Sequence, residues 1–390
     1  MAPNADIKSA KDVVSSANNM NSTTKEKALQ IMNIRNSLPK EVFVKDLSKS
    51  MYYMIFDYAM WFGSVAWMYS LVHSEQWAGL PEYAKIAAYV AFVNVAGFFM
   101  WCLFVVGHDC GHGTFSEYEW LNDILGHIMH GSIMVPFYPW QLSHRRHHLY
   151  HNHEQKDYSH PWYTPEKMAQ DDMWVYRLIS KVPLFRALMP IYGWFYYLLW
   201  APDGSHFFPF ASQRMWAESD DNEKQKCIYS SLWVGVNMAI VWFMCGQNWE
   251  SVMYYYAAPL VVFGWWLTCV TYLQHHAEDT LVYTDNNWKF VDAAFQTVDR
   301  TYGAPVDNLS HNITDGHVVH HLFFTKIPHY NLSTATKALQ GYMKDNGINH
   351  MYKHEETRDF AWRLHKYFYT IGFGATRCTD GDDIATKKIN

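Results

Sequence analysis

Four stretches of this chain, at about 51–72, 86–107, 228–245 and 251–274, are apolar for long enough to cross the roughly 30 Å hydrocarbon core of a bilayer as helices. Only Asp57 interrupts the first, and the second carries no charge. Such segments restrict the fold severely, because in lipid every backbone N–H and C=O must find its partner within the protein. The expected fold class is an all-α integral membrane protein. The connector after the first span, with Glu75, Glu82 and Lys85, and the GQNWE connector after the third are short and poor in Lys and Arg. The N-terminal stretch, the stretch from His108 to Lys226 and everything after His275 carry nearly all the basic residues, which places them in the cytosol. Four transmembrane helices in two hairpins follow, with both termini and a helical cap on the cytosolic side. Two further apolar stretches, 121–138 and 183–200, contain His127, His130 and Arg186 or are rich in Trp and Tyr, and suit interfacial helices. A six-span arrangement is the alternative, and it would separate histidine clusters that belong on one side of the membrane.

Composition agrees with a molecule partly in lipid and partly in water. Of 390 residues, 17% are charged, against roughly a quarter in soluble proteins, yet the mean hydropathy is slightly negative at −0.23. The net charge of −6 gives no electrostatic footing for nucleic acid. Six scattered cysteines without C-x-x-C spacing indicate neither a disulfide framework nor a thiolate zinc site. Residues 1–40 read as a polar tail with no signal-peptide core, 41–345 as the membrane domain and 346–390 as a cytosolic tail. Lys387, Lys388, Ile389 and Asn390 match a dilysine retrieval signal of the endoplasmic reticulum. Asn21, Asn308, Asn312 and Asn331 open glycosylation sequons, but the expected topology leaves them in the cytosol and unmodified.

The 22 histidines are concentrated. GHDCGH sets His108 and His112 four residues apart on one helical face, SHRRHH supplies His144, His147 and His148, and DGHVVHH repeats that spacing with His317, His320 and His321. Recurrence on one side of one membrane makes chance an inadequate explanation. Eight imidazoles exceed what one ion can use, so two metals are needed. Imidazole suits Zn, Cu, Fe and Ni alike. The absence of H-E-x-x-H counts against a zinc hydrolase, and placement at span ends counts against a metal transporter. Iron is favoured because a membrane-facing, histidine-rich pair of metals suits oxygen activation.

The strings GHDCGHGTFS, PWQLSHRRHH and HNITDGHVVHHLF, supported by DGSHFFPF, TYLQHH, TVDRTYG and KIPHYNL, resemble the membrane fatty-acyl desaturases, in particular the methyl-end group of Δ12 and ω-3 enzymes. The resemblance covers roughly residues 40 to 345. It implies two iron ions held by His108, His112, His144, His147, His148, His317, His320 and His321, and O2-dependent removal of two hydrogens from adjacent methylenes of an acyl lipid or acyl-CoA. A further histidine ligand is expected at the end of the fourth span, with His275 preferred and His276 the alternative. His311, His151 and His153 read as neighbours that orient ligands or line the site. Asp109 and Asp315 are candidates to fix a ligand's tautomer, and Asp299 and Arg300 read as a buried ion pair. Trp140, Tyr138 and Trp162 are candidates for an acyl tunnel, or members of an interfacial aromatic belt. With no HPGG motif in the chain, electrons are expected from a separate cytochrome b5 and its reductase. HDCGHGTFS, DGSHFFPF and KIPHYNL are closer to ω-3 enzymes and HNITDGHVVHH to Δ12 enzymes. The preferred reading is ω-3 desaturation of an 18- or 20-carbon polyunsaturated chain, with Δ12 desaturation or acyl hydroxylation as the alternative.

Overall fold

Helix boundaries follow capping side chains more closely than apolarity. In the computed structural model, which describes residues 22–157, 159–160, 182–200, 204–210, 212–370 and 377–378, α1 (Leu47–Val72) starts at Asp46, whose carboxylate accepts the Ser48 and Lys49 N–H groups. α2 (Glu82–His112) stops at Gly113, whose φ of 69° is left-handed and free of strain only without a Cβ. α3 (Glu119–Ser132), α4 (Phe137–Tyr150) and α5 (Pro183–Trp200) follow. α6 (Asp221–Met244) begins ahead of its apolar run because the Asp220 carboxylate accepts the Glu223 N–H at 2.8 Å. α7 (Trp249–His275) is capped by Asn248 and passes through a π-turn at Met253–Ala257. The short α8 (His317–Phe323) precedes α9 (Leu332–Asp345) and α10 (Phe360–Thr370).

Among the described residues, α2, α6 and α7 are long and apolar enough to cross a membrane. α1 has the length, at 26 residues, but its Tyr and Ser side chains make it less apolar, and its Asp57 is fully buried. The stretch at 121–138, expected to be one interfacial helix, is divided between α3 and α4 by a turn in which Met134 has φ 60°. Helix dominates, yet the chain is not wholly α: β1 (Val298–Thr301) pairs in parallel with β2 (Lys353–Glu356), and Leu281–Val282 pairs with Arg377–Cys378. Trp162, Asn21 and Lys387 to Asn390 lie outside the described residues.

α2 is the centre of the bundle. Every residue from Phe99 to Cys110 is buried, as expected of a helix that is apolar on all sides, and α1, α3, α4 and α7 all pack on it. α7 comes close because position 97 is glycine: a Cβ there would sit 2.5 Å from the Pro259 carbonyl oxygen. Such close packing, rather than transfer out of water, is what draws helices together in lipid. α5 and α10 pack on α7 and on each other, and Leu364, Tyr367 and Phe368 of α10 are buried. Residues 353–356 and 360–370, within the segment read from sequence as a tail, therefore belong to the packed body. The histidine-bearing ends of α2, α4, α7 and α8 converge at one end of the bundle.

Candidate metal centre

Helical spacing sets the imidazoles in rows. His108 and His112 occupy the last turns of α2, His144, His147 and His148 lie on α4, His317, His320 and His321 on α8, and His275 is the last residue of α7. The fold brings these nine rings together in two adjoining groups. Ring nitrogens of His108, His112, His144, His148 and His320 all lie within 4.8 Å of one another. The Nε2 atoms of His108 and His112 are 3.1 Å apart, those of His144 and His148 3.1 Å, and those of His148 and His320 3.2 Å. His275 Nε2 is 3.2 Å from both His147 Nε2 and His317 Nε2, and His275, His317 and His321 form a second close set.

This donor set fits metal ions. A metal–nitrogen distance of about 2.1 Å with ligands at right angles places neighbouring nitrogens roughly 3 Å apart, the spacing found. A neutral imidazole has only one N–H to donate, and His108 Nδ1, His148 Nδ1, His275 Nδ1, His317 Nδ1 and both nitrogens of His321 are buried without hydrogen-bond partners. Burial, reinforced by neighbouring imidazoles, holds His144, His148, His320 and His321 well below the usual histidine range and takes His317 to about 3. These five rings are thus neutral near pH 7, the form that binds metal.

Carboxylates behind the rings fix their orientation. His147 Nδ1–H donates to Asp157 at 2.9 Å, and Asp157 also accepts the N–H groups of Asn152, Ser159 and His160. Asp109 stands 3.7 Å from His108 Nδ1 and accepts both the N–H and the ring Nδ1–H of His329 at 2.9 Å. His329 in turn packs on His311, whose Nε2 lies 2.8 Å from Asp57. Asp315 is occupied by the Asn312 side-chain amide at 3.4 Å, and the carboxylate that supports α8 is Asp299, which accepts the Val318 N–H at 2.8 Å and the Tyr352 hydroxyl. Burial raises Asp299 to about 7. Asp299 and Arg300 are not an ion pair, because consecutive residues of β1 point to opposite faces. Arg300 pairs with Glu355 and donates to the Leu273 carbonyl at 2.7 Å.

The remaining candidates take other places. His276 follows the end of α7 with its ring stacked on Tyr272 at 4.0 Å and its Nδ1 on the Tyr272 carbonyl, outside the close sets that include His275. His151 donates from Nδ1 to the His148 carbonyl at 2.8 Å and packs on His321, while His153 pairs with Asp285 at 3.1 Å. Trp140 stacks on His144 at 4.7 Å, an approach that leaves room only for glycine at 111, where a Cβ would meet the indole at 2.8 Å. A cavity of about 120 Å³ runs to the imidazoles, walled by apolar side chains including Trp101, Phe104, Trp140, Met189, Trp194 and Leu267. Tyr138 lies away from it, beside Lys226. Sequence reasoning passed over Asp157, His160 and His329. The Asp157 and His160 pair was detectable as D-x-x-H soon after the second cluster, but nothing in the string KIPHYNL shows that His329 reaches Asp109.

A helical bundle with paired imidazole groups at the end of an apolar cavity is the arrangement of a metal-dependent enzyme for an apolar substrate. The chain belongs to the fatty acid desaturase family, whose model matches residues 84–354. It is 38% identical over 346 residues to the Delta(12) fatty acid desaturase fat-2 of Caenorhabditis elegans, covering 87% of this chain and 86% of that one. The Omega-3 fatty acid desaturase fat-1 of the same organism is 35% identical over 92% of this chain and 85% of its own length. The acyl-lipid omega-3 desaturase (cytochrome b5) of the endoplasmic reticulum of Arabidopsis thaliana is 35% identical over 79% of this chain and 75% of its own.

Proposed function

We propose that this desaturase is a di-iron enzyme of the endoplasmic-reticulum membrane that inserts a cis double bond at the ω-3 position of 18- or 20-carbon polyunsaturated acyl chains. The observation that carries this reading is the convergence of two imidazole groups on the end of an apolar cavity. His108, His112, His144, His148 and His320 would hold one ion and His147, His275, His317 and His321 the other. Iron at that position supplies an oxidant strong enough for an unactivated C–H bond, which acid–base chemistry near neutral pH does not provide. The protein's own share is to hold the acyl chain against Trp194, Phe104 and Trp101, keep water out, and present adjacent methylenes to the metal pair in the bent conformation that a cis product requires. The atoms balance with O2: two hydrogens from the chain, together with two electrons and two protons from outside, reduce it to two waters.

Several features support the membrane setting. The window of α6 that is apolar enough to span is only 22% buried, and Leu232, Val236, Ile240 and Phe243 lie exposed along it. With α1 as the fourth span, the helices form the two hairpins expected from charge placement, with the imidazole centre and both termini on the cytosolic side. Relatives named for the endoplasmic reticulum and for cytochrome b5 support that location and a separate cytochrome b5 as electron donor, in keeping with an acyl-lipid or acyl-CoA substrate. The 38% identity to a Δ12 desaturase favours Δ12 desaturation of oleoyl chains as the second reading.

Expression in yeast supplied with linoleic and arachidonic acids, followed by gas chromatography and mass spectrometry of double-bond positions, separates the two. New ω-3 products support the first reading, linoleate formed from endogenous oleate in a parallel culture given no linoleic acid supports the second, and unchanged lipids from a well-expressed, iron-loaded protein reject both. His317→Ala is expected to abolish the products and lower the iron content.

A further inference from the structure

We infer that His160 is a tenth imidazole of the metal centre, a ligand of the ion held by His147 and His275. The inference rests on the two-ion reading above and adds to it a residue that stands outside the three clusters. One ring nitrogen each of His147, His160 and His275 lie within 4.8 Å of one another. The His160 ring centroid is 4.5 Å from that of His275 and 4.8 Å from that of His147. These are the separations seen between rings already grouped around one centre, such as 4.7 Å for His148 and His320.

Two independent features indicate that the ring is placed there to bind. First, His160 is 9% exposed and its Nδ1 is buried with no hydrogen-bond partner, a condition that costs about 1–3 kcal/mol unless something satisfies the nitrogen. Second, the backbone N–H of His160 donates at 3.0 Å to Asp157, the same carboxylate that takes the Nδ1–H of His147. One side chain thereby positions both imidazoles. The inventory of donors agrees. Five nitrogens surround the first ion's position, whereas only His147, His275, His317 and His321 would serve the second. With His160 each ion has five, and an octahedral ion then keeps one position for an exogenous group. The competing role is that of a wall residue, since His160 also borders the apolar cavity.

The test uses full-length protein in detergent, stripped of metal and titrated with Co(II), whose visible absorption intensifies as ligands are lost, alongside iron analysis of the protein as purified. His160→Ala is expected to keep one ion at full affinity and to bind the second about tenfold or more weakly. Its Co(II) spectrum should be stronger, and added imidazole should restore the original one. His160→Gln, which keeps a polar side chain of similar length, should show the same weakening without the imidazole rescue and guards against a folding defect. Two ions bound at unchanged affinity with an unchanged spectrum in both His160 variants, while His317→Ala loses one, would leave His160 as cavity wall and overturn the inference alone. Retention of both ions in His317→Ala as well would overturn the underlying two-ion reading.

Discussion

The Asp157 carboxylate accepts the Nδ1–H of His147 at 2.9 Å, which turns the other ring nitrogen of His147 toward His275, 3.2 Å away. A carboxylate behind a metal-binding imidazole fixes its tautomer and raises its basicity, and removing one costs about 10–100-fold in metal affinity or activity. Asp157→Ala should therefore lower iron content and desaturation by that order, with Asp157→Asn less severe. His153→Ala, which breaks the pairing with the exposed Asp285 and removes the Nδ1 acceptor of the Gln155 and Lys156 N–H groups, should leave both nearly unchanged. Metal analysis of the three purified variants checks this.

Much of the site was legible because the chemistry is written in helical spacing. His108 with His112, and the H-x-x-H-H rows on α4 and α8, present their rings on one side of a helix wherever the helix is placed. The supporting carboxylates were legible only in part: Asp109 stands out beside His108, but its hydrogen bond to His329 crosses 220 positions of sequence, and Asp299 reaches α8 from β1. The nearby Asp315 therefore looked the better candidate. Helix ends were misplaced for a related reason, since the Asp220 and Asn248 caps are polar and lie outside the apolar runs that marked the spans.

The buried imidazoles set a pH limit on the metal-free protein. Burial holds His317 and His276 to about 3 and His151 to about 4, against an unfolded value near 6.5. A histidine whose folded pKa is depressed stabilises the fold above the unfolded value and loses that contribution as pH falls toward the folded one. Each such group then costs about 1.4 kcal/mol per pH unit below 6.5. Thermal unfolding of the metal-stripped protein in detergent should thus show a midpoint that is flat above pH 7 and drops steeply between pH 6.5 and 4.

Arg300 is fully buried and is neutralised by Glu355, whose same carboxylate oxygen also accepts from Arg363 at 2.8 Å. Glu355→Ala leaves the guanidinium with only carbonyl and hydroxyl partners, among them the Leu273 carbonyl at the end of α7. A loss of about 1.5–3 kcal/mol is expected, the worth of hydrogen bonds to a charged group. It should be read as a lowered unfolding midpoint, with a smaller drop in Glu355→Gln.

Trp194 is buried against the cavity with Phe104 at 5.9 Å between ring centroids. Trp194→Ala would remove the largest wall residue on α5 and widen the channel, at a packing cost of about 3–5 kcal/mol. Product profiles from mixed acyl pools should shift toward longer or more highly unsaturated chains, while iron content stays at two ions. An unchanged profile would show that this wall does not measure the substrate.

The central claim, oxidative removal of hydrogen at an imidazole-held metal pair, is tested most directly by oxygen stoichiometry. Purified protein, reduced cytochrome b5 and a polyunsaturated acyl lipid should consume O2 and form double bonds in equal amounts, with both stopping when iron is removed and returning when it is restored. Oxygen uptake without new double bonds, or acyl ester cleavage that proceeds without oxygen, would contradict it.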